Sequence, residues 1–239
     1  MTAETTSASS GLLDAPSTVT RDRAPILWSA LERARSVGAL GDGPIAHHVG
    51  HAAAYAWCVA DHGDDPGGAV LDLGSGAGLP GLVLAHLWPE RKLVLMDSAR
   101  RRAELLLAAV EACGLGDRVE VVCARAEEAA HDPRWRAAFG VVVGRSFGAP
   151  AVVAECSAGF LAPGGLLVVS DPPVAAPERW PADAMSELGL VVHRSMASPV
   201  HLQVLRSVTP CPARFPRRNG VPAKRPLWPS RAGRLPASR

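Results

Sequence analysis

The 239-residue chain has no stretch of eighteen apolar residues, and its first seventeen residues have no basic segment followed by an apolar one. Neither a membrane-spanning helix nor a secretory leader is therefore expected. Its five cysteines (Cys58, Cys113, Cys123, Cys156 and Cys211) are odd in number, widely spread and never in a C-x-x-C pair. That spacing gives neither a disulfide framework nor a zinc knuckle and fits a reducing, cytoplasmic setting. Acidic residues are missing altogether from 207–239, which hold eight of the 25 Lys and Arg residues. The net charge of +2 thus conceals a body of −6 joined to a strongly basic end, an arrangement suited to touching a polyanion. A merely solvated tail has the same composition.

What is present is a regular alternation. Short apolar runs fall at Ala69–Leu73, Leu93–Met96, Val119–Cys123, Val141–Val143, Leu166–Val169, Leu190–Val192 and Leu202–Leu205, with helix-length segments between the earlier ones. Such alternation predicts a doubly wound α/β fold with a mostly parallel seven-stranded sheet. The last two runs lie close together, so one of them should be antiparallel. Among the helices, Ala99–Cys113 is the clearest, with Leu105, Leu106, Ala109 and Val110 on one stripe and Gly114 as its stop. Two further helices, about Pro25–Val37 and Ile45–Val59, precede the first strand as an N-terminal helical cap. The resulting division is a disordered Ser/Thr/Ala-rich lead-in (1–20), the cap (21–62), a nucleotide-binding domain (63–208) and a basic tail (209–239). Seven prolines from Pro210 to Pro236 make the tail an extended strap.

The most informative segment runs from Val70 to Gly81, with Asp72 followed by glycines at 74, 76 and 78. Glycines there let the chain turn tightly where a strand enters a helix, the place at which open α/β sheets bind nucleotides. The dinucleotide pattern G-x-G-x-x-G would need glycine at 79, where this chain has Leu79. An acidic residue two positions before Gly74 suits a ligand with an ammonium group and no pyrophosphate, such as S-adenosylmethionine. Asp97, at the end of the second strand, is placed to accept hydrogen bonds from ribose hydroxyls. A structural turn and an NAD site remain alternatives on the glycines alone.

Other local signals are weaker. His47, His48 and His51 contain an i, i+4 pair but no third ligand nearby, so no metal is expected. Pro210-Cys211 superficially matches the nucleophile of pyrimidine carbon-5 methyltransferases, but it lies in the tail. Ser170-Asp171-Pro172-Pro173 resembles the box with which amino-group methyltransferases hold a flipped base, yet it follows the fifth strand and not the fourth.

The order of Gly74–Gly81, Asp97-Ser98, Arg125–Glu128, Arg145-Ser146-Phe147 and Leu161–Gly165 resembles the bacterial 16S rRNA guanine-N7 methyltransferase family of the RsmG (GidB) type. Thr209-Pro210, Phe215–Pro222 and Lys224–Leu227 are similar to that family's T-P…Y-P-R-R-x-G-x-P…K-x-P-L ending. The resemblance covers roughly residues 70–228. It implies that Gly74 and Leu79 contact S-adenosylmethionine, that Ala126 and Glu127 frame its adenine, and that Arg145 lines the site. With Asp72, Gly76, Gly78 and Asp97 these make up the expected cofactor set. The tail cations Arg214, Arg217, Arg218, Lys224 and Arg225 would meet phosphates of 16S rRNA or the small ribosomal subunit, with the enzyme a monomer.

N7 of guanine has a free lone pair and no proton, so no catalytic acid or base is named. Two departures stand out: Ser170–Pro173 where the family usually has Lys-Gly, and Val200-His201 where it has Arg-His. A diverged paralogue acting on another RNA base or a small molecule, and a non-catalytic RNA-binding protein with a relic pocket, are the alternatives.

Overall fold

The computed structural model describes residues 18–60, 63–172 and 177–229. Most of the expected lead-in, the last ten residues of the tail, and Pro173 of the Ser170 segment lie outside the described residues.

The chain runs α1 (Pro25–Ser36), α2 (Ile45–Ala60), β1 (Ala69–Leu73), α3 (Gly81–Leu87), β2 (Leu93–Asp97), α4 (Arg100–Ala112), β3 (Val119–Cys123) and α5 (Ala126–Ala129). It continues through β4 (Phe139–Gly144), α6 (Pro150–Ala158), β5 (Leu161–Ser170), α7 (Ala182–Ser186), β6 (Leu190–Met196), β7 (Leu202–Ser207) and α8 (Val221–Lys224). The strands form one seven-stranded sheet in the order β3-β2-β1-β4-β5-β7-β6. The first five are mutually parallel, and β7 runs antiparallel to both β5 and β6.

Successive strand residues point to opposite faces, and the core divides accordingly. Val70, Leu93, Leu95, Val141, Val143, Leu166 and Val168 face a cluster completed by α1 to α4. Their neighbours Leu71, Leu73, Val94, Met96, Val142, Leu167 and Val169 face a second cluster completed by α5 to α7. Continuous apolar runs are what a sheet covered on both sides requires. The chain changes direction across the sheet between β1 and β4, which opens a crevice at their C-terminal ends.

Three features add to the expected division. First, the N-terminal helices of the cap pack into the body: Leu27, Leu31, Val49, Ala53 and Tyr55 are buried in the same cluster as α3 and α4. Ten of the sixteen residues of α2 are buried, so this helix is part of one covering layer. Second, that layer begins before residue 21, because Val19 is fully buried and its carbonyl accepts a hydrogen bond from Trp28 Nε1 at 2.8 Å. Third, the expected strap is docked on the body along its described part. Phe215 and Trp228 are buried in the second cluster, and Arg136 donates to the carbonyls of Cys211 (2.7 Å), Pro212 (3.2 Å) and Phe215 (3.1 Å). His131 Nε2 bonds the Pro216 carbonyl at 2.7 Å. Proline excludes regular ladders but leaves carbonyls and apolar side chains free to attach the segment elsewhere.

Replacing Phe215 by Ala should therefore cost about 3 kcal/mol of unfolding free energy, the usual range for emptying a buried aromatic site. Urea titration reads this directly, and an unchanged midpoint would mean that the tail is not part of the folded core.

Candidate functional site

The glycine loop between β1 and α3 is organised from beneath by Asp72. This carboxylate is almost wholly buried, and its Oδ2 accepts hydrogen bonds from Ser75 Oγ at 2.6 Å and from the Gly81 amide at 2.9 Å. The loop amides of Gly74 and Ser75 donate to the Met96 carbonyl at 2.8 and 3.0 Å, tying the loop to the end of β2. Gly74 has φ +71°, and a Cβ there would lie 2.5 Å from the Phe147 ring. Only glycine lets the strand end pass this close to a ring.

Asp97, at the end of β2, is equally buried. Its Oδ2 accepts from the Gly76 amide at 3.0 Å; its Oδ1 accepts from the Ala99 amide at 2.8 Å and Arg102 Nε at 3.1 Å. Both carboxylates thus serve the loop's own architecture, and each retains acceptor capacity.

Beyond the ends of β1, β2 and β4 lies a cavity of about 260 Å³. Gly74, Asp97, Ala126 and Glu127 line it together, so four of the expected cofactor residues meet in one place. Phe147 and Ser146 close it from the β4 side and Ala223 from the tail. Ser146 has φ +56°, a left-handed conformation that costs a non-glycine residue about 1–3 kcal/mol and collects at functional sites. Cys156 also faces the cavity, and burial pushes its thiol well above the usual range, so it stays protonated and unreactive.

The other expected residues lie around this cavity and not in its wall. Gly76 and Gly78 shape the loop behind it; a Cβ at 78 would meet Leu82 at 2.4 Å. The Leu79 side chain is buried in the apolar cluster of the first face. Arg145 turns toward α2, where its Nη2 meets His48 Nδ1 at 2.8 Å. His48 Nε2 in turn bonds the Asp42 carbonyl at 3.0 Å, which assigns the ring proton to Nε2 and makes Nδ1 the acceptor for Arg145. Tyr55 donates its hydroxyl to the Gly144 carbonyl at 3.2 Å, and burial raises its pKa far above the ordinary value. In the sequence His48 stands out only as one of a histidine cluster weighed for a metal, and Tyr55 carries no motif, so neither is legible there as a neighbour of Arg145 or of the end of β4.

Three buried atoms in this region have no hydrogen-bond partner among the described residues: Asp72 Oδ1, Arg145 Nη1 and His51 Nδ1. Two of them are a charged acceptor and a charged donor. An amino-acid group, carrying an ammonium and a carboxylate, has the matching charges, so the residues present fit the methionine end of S-adenosylmethionine.

The tail cations separate in space. Arg217, expected to meet phosphates, pairs its guanidinium with Glu155, with Nε at 2.8 Å and Nη2 at 2.6 Å. Arg214 lies over the Phe215 ring and 3.8 Å from Glu187. Arg218, Lys224 and Arg225 are exposed. The two departures are also accommodated locally. Asp171 accepts hydrogen bonds from Arg179 Nε at 2.9 Å and Trp180 Nε1 at 3.2 Å, so its charge is neutralised in place, while Val200 is buried in the first cluster.

The GidB family model, rRNA small subunit methyltransferase G, matches residues 44–171. The chain belongs to that family. Ribosomal RNA small subunit methyltransferase G of Synechococcus sp. (strain RCC307) is 35% identical over 172 residues, spanning 66% of this chain and 70% of that protein. The Deinococcus deserti protein of the same name is 38% identical over 167 residues, spanning 66% and 68%. That of Roseiflexus castenholzii is 37% identical over 183 residues, spanning 71% and 75%. Among solved structures, an O-methyltransferase from Bacillus cereus in complex with SAH superposes with a TM-score of 0.55 at 14% identity, over 77% of this chain and 91% of that one. A putative O-methyltransferase from Klebsiella pneumoniae gives 0.55 at 13%, over 77% and 90%. These structures share the fold of this GidB family member. No helix among the described residues is long and apolar enough to cross a membrane.

Burial raises the Asp72 carboxyl from 3.8 to about 6, against the opposing hydrogen bonds of Ser75 and Gly81. The unfolded chain releases this proton near 3.8 and the folded one near 6, so the folded state loses stability as pH rises across that window. His51 acts in the opposite sense: burial lowers it to about 4, so the folded state gains as pH rises from there to 6.5. Asp72→Asn removes only the first contribution. Relative to the parent, the cofactor-free variant should become more stable by about 3 kcal/mol between pH 4 and pH 6, with no further change above. Urea titrations at a series of pH values check this, and a pH-independent difference would show that Asp72 does not titrate in this range.

Proposed function

We propose that this chain transfers a methyl group from S-adenosylmethionine to N7 of a guanine in 16S rRNA. The observation that carries the reading is the cavity at the β1/β4 switch, where Gly74, Asp97, Ala126 and Glu127 converge under a basic tail, in a chain of the rRNA small subunit methyltransferase G family. In this reading Asp97 and Glu127 hold the nucleoside from the cavity wall, while the charges of Asp72 and Arg145, buried behind it with an atom each left unpartnered, favour the ammonium and carboxylate of the methionine end. S-adenosylmethionine, when bound, supplies an electrophilic sulfonium methyl.

Little proton chemistry is demanded of the protein. N7 of guanine accepts a methyl group through its lone pair, with no proton to remove. Tyr55 is held protonated by burial, and His51 is held neutral above about pH 4. Neither has to change state during turnover at neutral pH. What the side chains contribute is orientation and exclusion of water, which for well-placed reactants accounts for much of an enzymic acceleration. The exposed cations Arg218, Lys224 and Arg225 supply phosphate contacts that bring the base to the mouth.

Transfer of labelled methyl to unmodified 16S rRNA and to small ribosomal subunits, followed by chemical cleavage at N7-methylguanine, tests the reading. A single labelled guanine is the expected product; label on another base or on no RNA would overturn the choice of N7. Affinity for the RNA should fall steeply with salt. Changing Arg218, Lys224 and Arg225 together to Gln should reduce the slope of log K against log salt by about 2–3, at roughly 0.7–0.9 for each phosphate no longer neutralised.

A further inference from the structure

Helix α6 reads Pro-Ala-Val-Val-Ala-Glu-Cys-Ser-Ala, and its single charged residue, Glu155, is fully buried. A carboxylate removed from water persists where its acceptor sites are filled by a paired cation. Glu155 finds its partner in one tail residue. The Arg217 backbone amide donates to Oε1 at 2.8 Å, Arg217 Nε to the same oxygen at 2.8 Å, and Nη2 to Oε2 at 2.6 Å.

The same Nη2 also donates to the Arg225 carbonyl at 2.8 Å, so one guanidinium spans both ends of the segment 217–225. Within that span the Gly220 amide donates to Glu127 Oε1 at 3.0 Å, and Asn219 Nδ2 bonds Glu128. Gly220, at φ +73°, opens α8, which carries Ala223 into the cavity wall.

The ion pair therefore has a consequence that an apolar contact would not supply. A bidentate fork fixes direction as well as position, and here the fixed segment is the one that meets Glu127 and closes the cavity. We propose that Glu155 and Arg217 are positioning residues that seat α8 as a wall of the S-adenosylmethionine cavity, so that cofactor affinity depends on a carboxylate and a guanidinium that do not line it. This rests on the assignment of the cavity to the cofactor, but not on the identity of the methylated base. When the fork is loosened, the cavity is complete only in the fraction of molecules whose wall is seated, and the apparent Kd rises by the inverse of that fraction.

The test combines calorimetric titration of the full chain with S-adenosylhomocysteine and amide hydrogen exchange, for the parent, Arg217→Lys, Glu155→Gln and Phe147→Ala. Arg217→Lys keeps a cation opposite Glu155 and so guards against loss of the fold; protected amides in β1 and β4 report that the sheet is intact. The expected result is faster exchange at the Gly220 amide in the Arg217 and Glu155 variants, with a Kd raised about tenfold where the wall is seated a tenth of the time. Phe147→Ala, which alters the part of the wall after β4, should weaken binding without faster exchange at Gly220. An unchanged Kd in the Arg217 and Glu155 variants, with Phe147→Ala weakened, overturns the positioning role. An unchanged Kd in all three removes the cofactor from this cavity and the proposal with it.

Discussion

The buried carboxylate of Asp72 is the constraint on which the site depends. Its Oδ2 collects the Ser75 hydroxyl and the Gly81 amide, which lie on either side of the glycine loop, and so sets the path of every residue between them. The same atom dictates the residue at 81: a Cβ there would lie 2.6 Å from Oδ2 and 2.3 Å from Leu95. With the loop held, the Gly76 amide reaches Asp97 on the neighbouring strand, and Asp97 in turn anchors the start of α4 through the Ala99 amide. Two acidic residues that look like ligand-binding groups in the sequence are first of all structural.

The sheet was legible because strands covered on both faces are largely apolar, and β1 begins and ends where its apolar run does, as does β3 at the sheet edge although only its Val119 is buried. β5 is longer than its run, extending back through Leu161 to Gly165, since Pro163 and two glycines interrupt the apolar signal without ending the strand. The glycine loop was legible for a steric reason, as positive φ at 74, 76 and 78 restricts the residue type. Packing of the tail was not legible from its prolines and charge. Its signal lay in Phe215 and Trp228, the two aromatic residues of the segment, both of which enter the core. Glu155 carried a comparable signal, as the lone charge in an apolar helix.

Adjacent residues of one type can have opposite roles, and charge counting alone does not separate them. Arg217 and Arg218 are indistinguishable in composition, yet one is held by a fully buried glutamate and the other is exposed. The difference comes from burial of the facing partner, a property of the fold. Asp171 shows the same effect with the sign reversed. In sequence it replaces a cation with an anion, but Arg179 and Trp180 consume both its oxygens, so the substitution does not leave an unbalanced negative charge.

Stability is distributed unevenly as a result. Six buried side-chain atoms have no partner among the described residues, and three of them, Asp72 Oδ1, Arg145 Nη1 and His51 Nδ1, belong to residues coupled electrostatically through Arg145. Each such atom costs about 1–3 kcal/mol when left without a hydrogen bond. Scattered, they would read as ordinary imperfections of packing; gathered beside the glycine loop, they mark the region whose free energy is lowest when something polar and doubly charged is bound. The strained backbone at Ser146 acts in the same direction. A ligand that satisfies these groups stabilises the folded state by the linkage between binding and folding, so occupancy of the site and rigidity of the β1/β4 crevice should rise together. The tail is bound into that coupling through Gly220 and Glu127, which makes the basic segment part of the catalytic body and not an appendage to it.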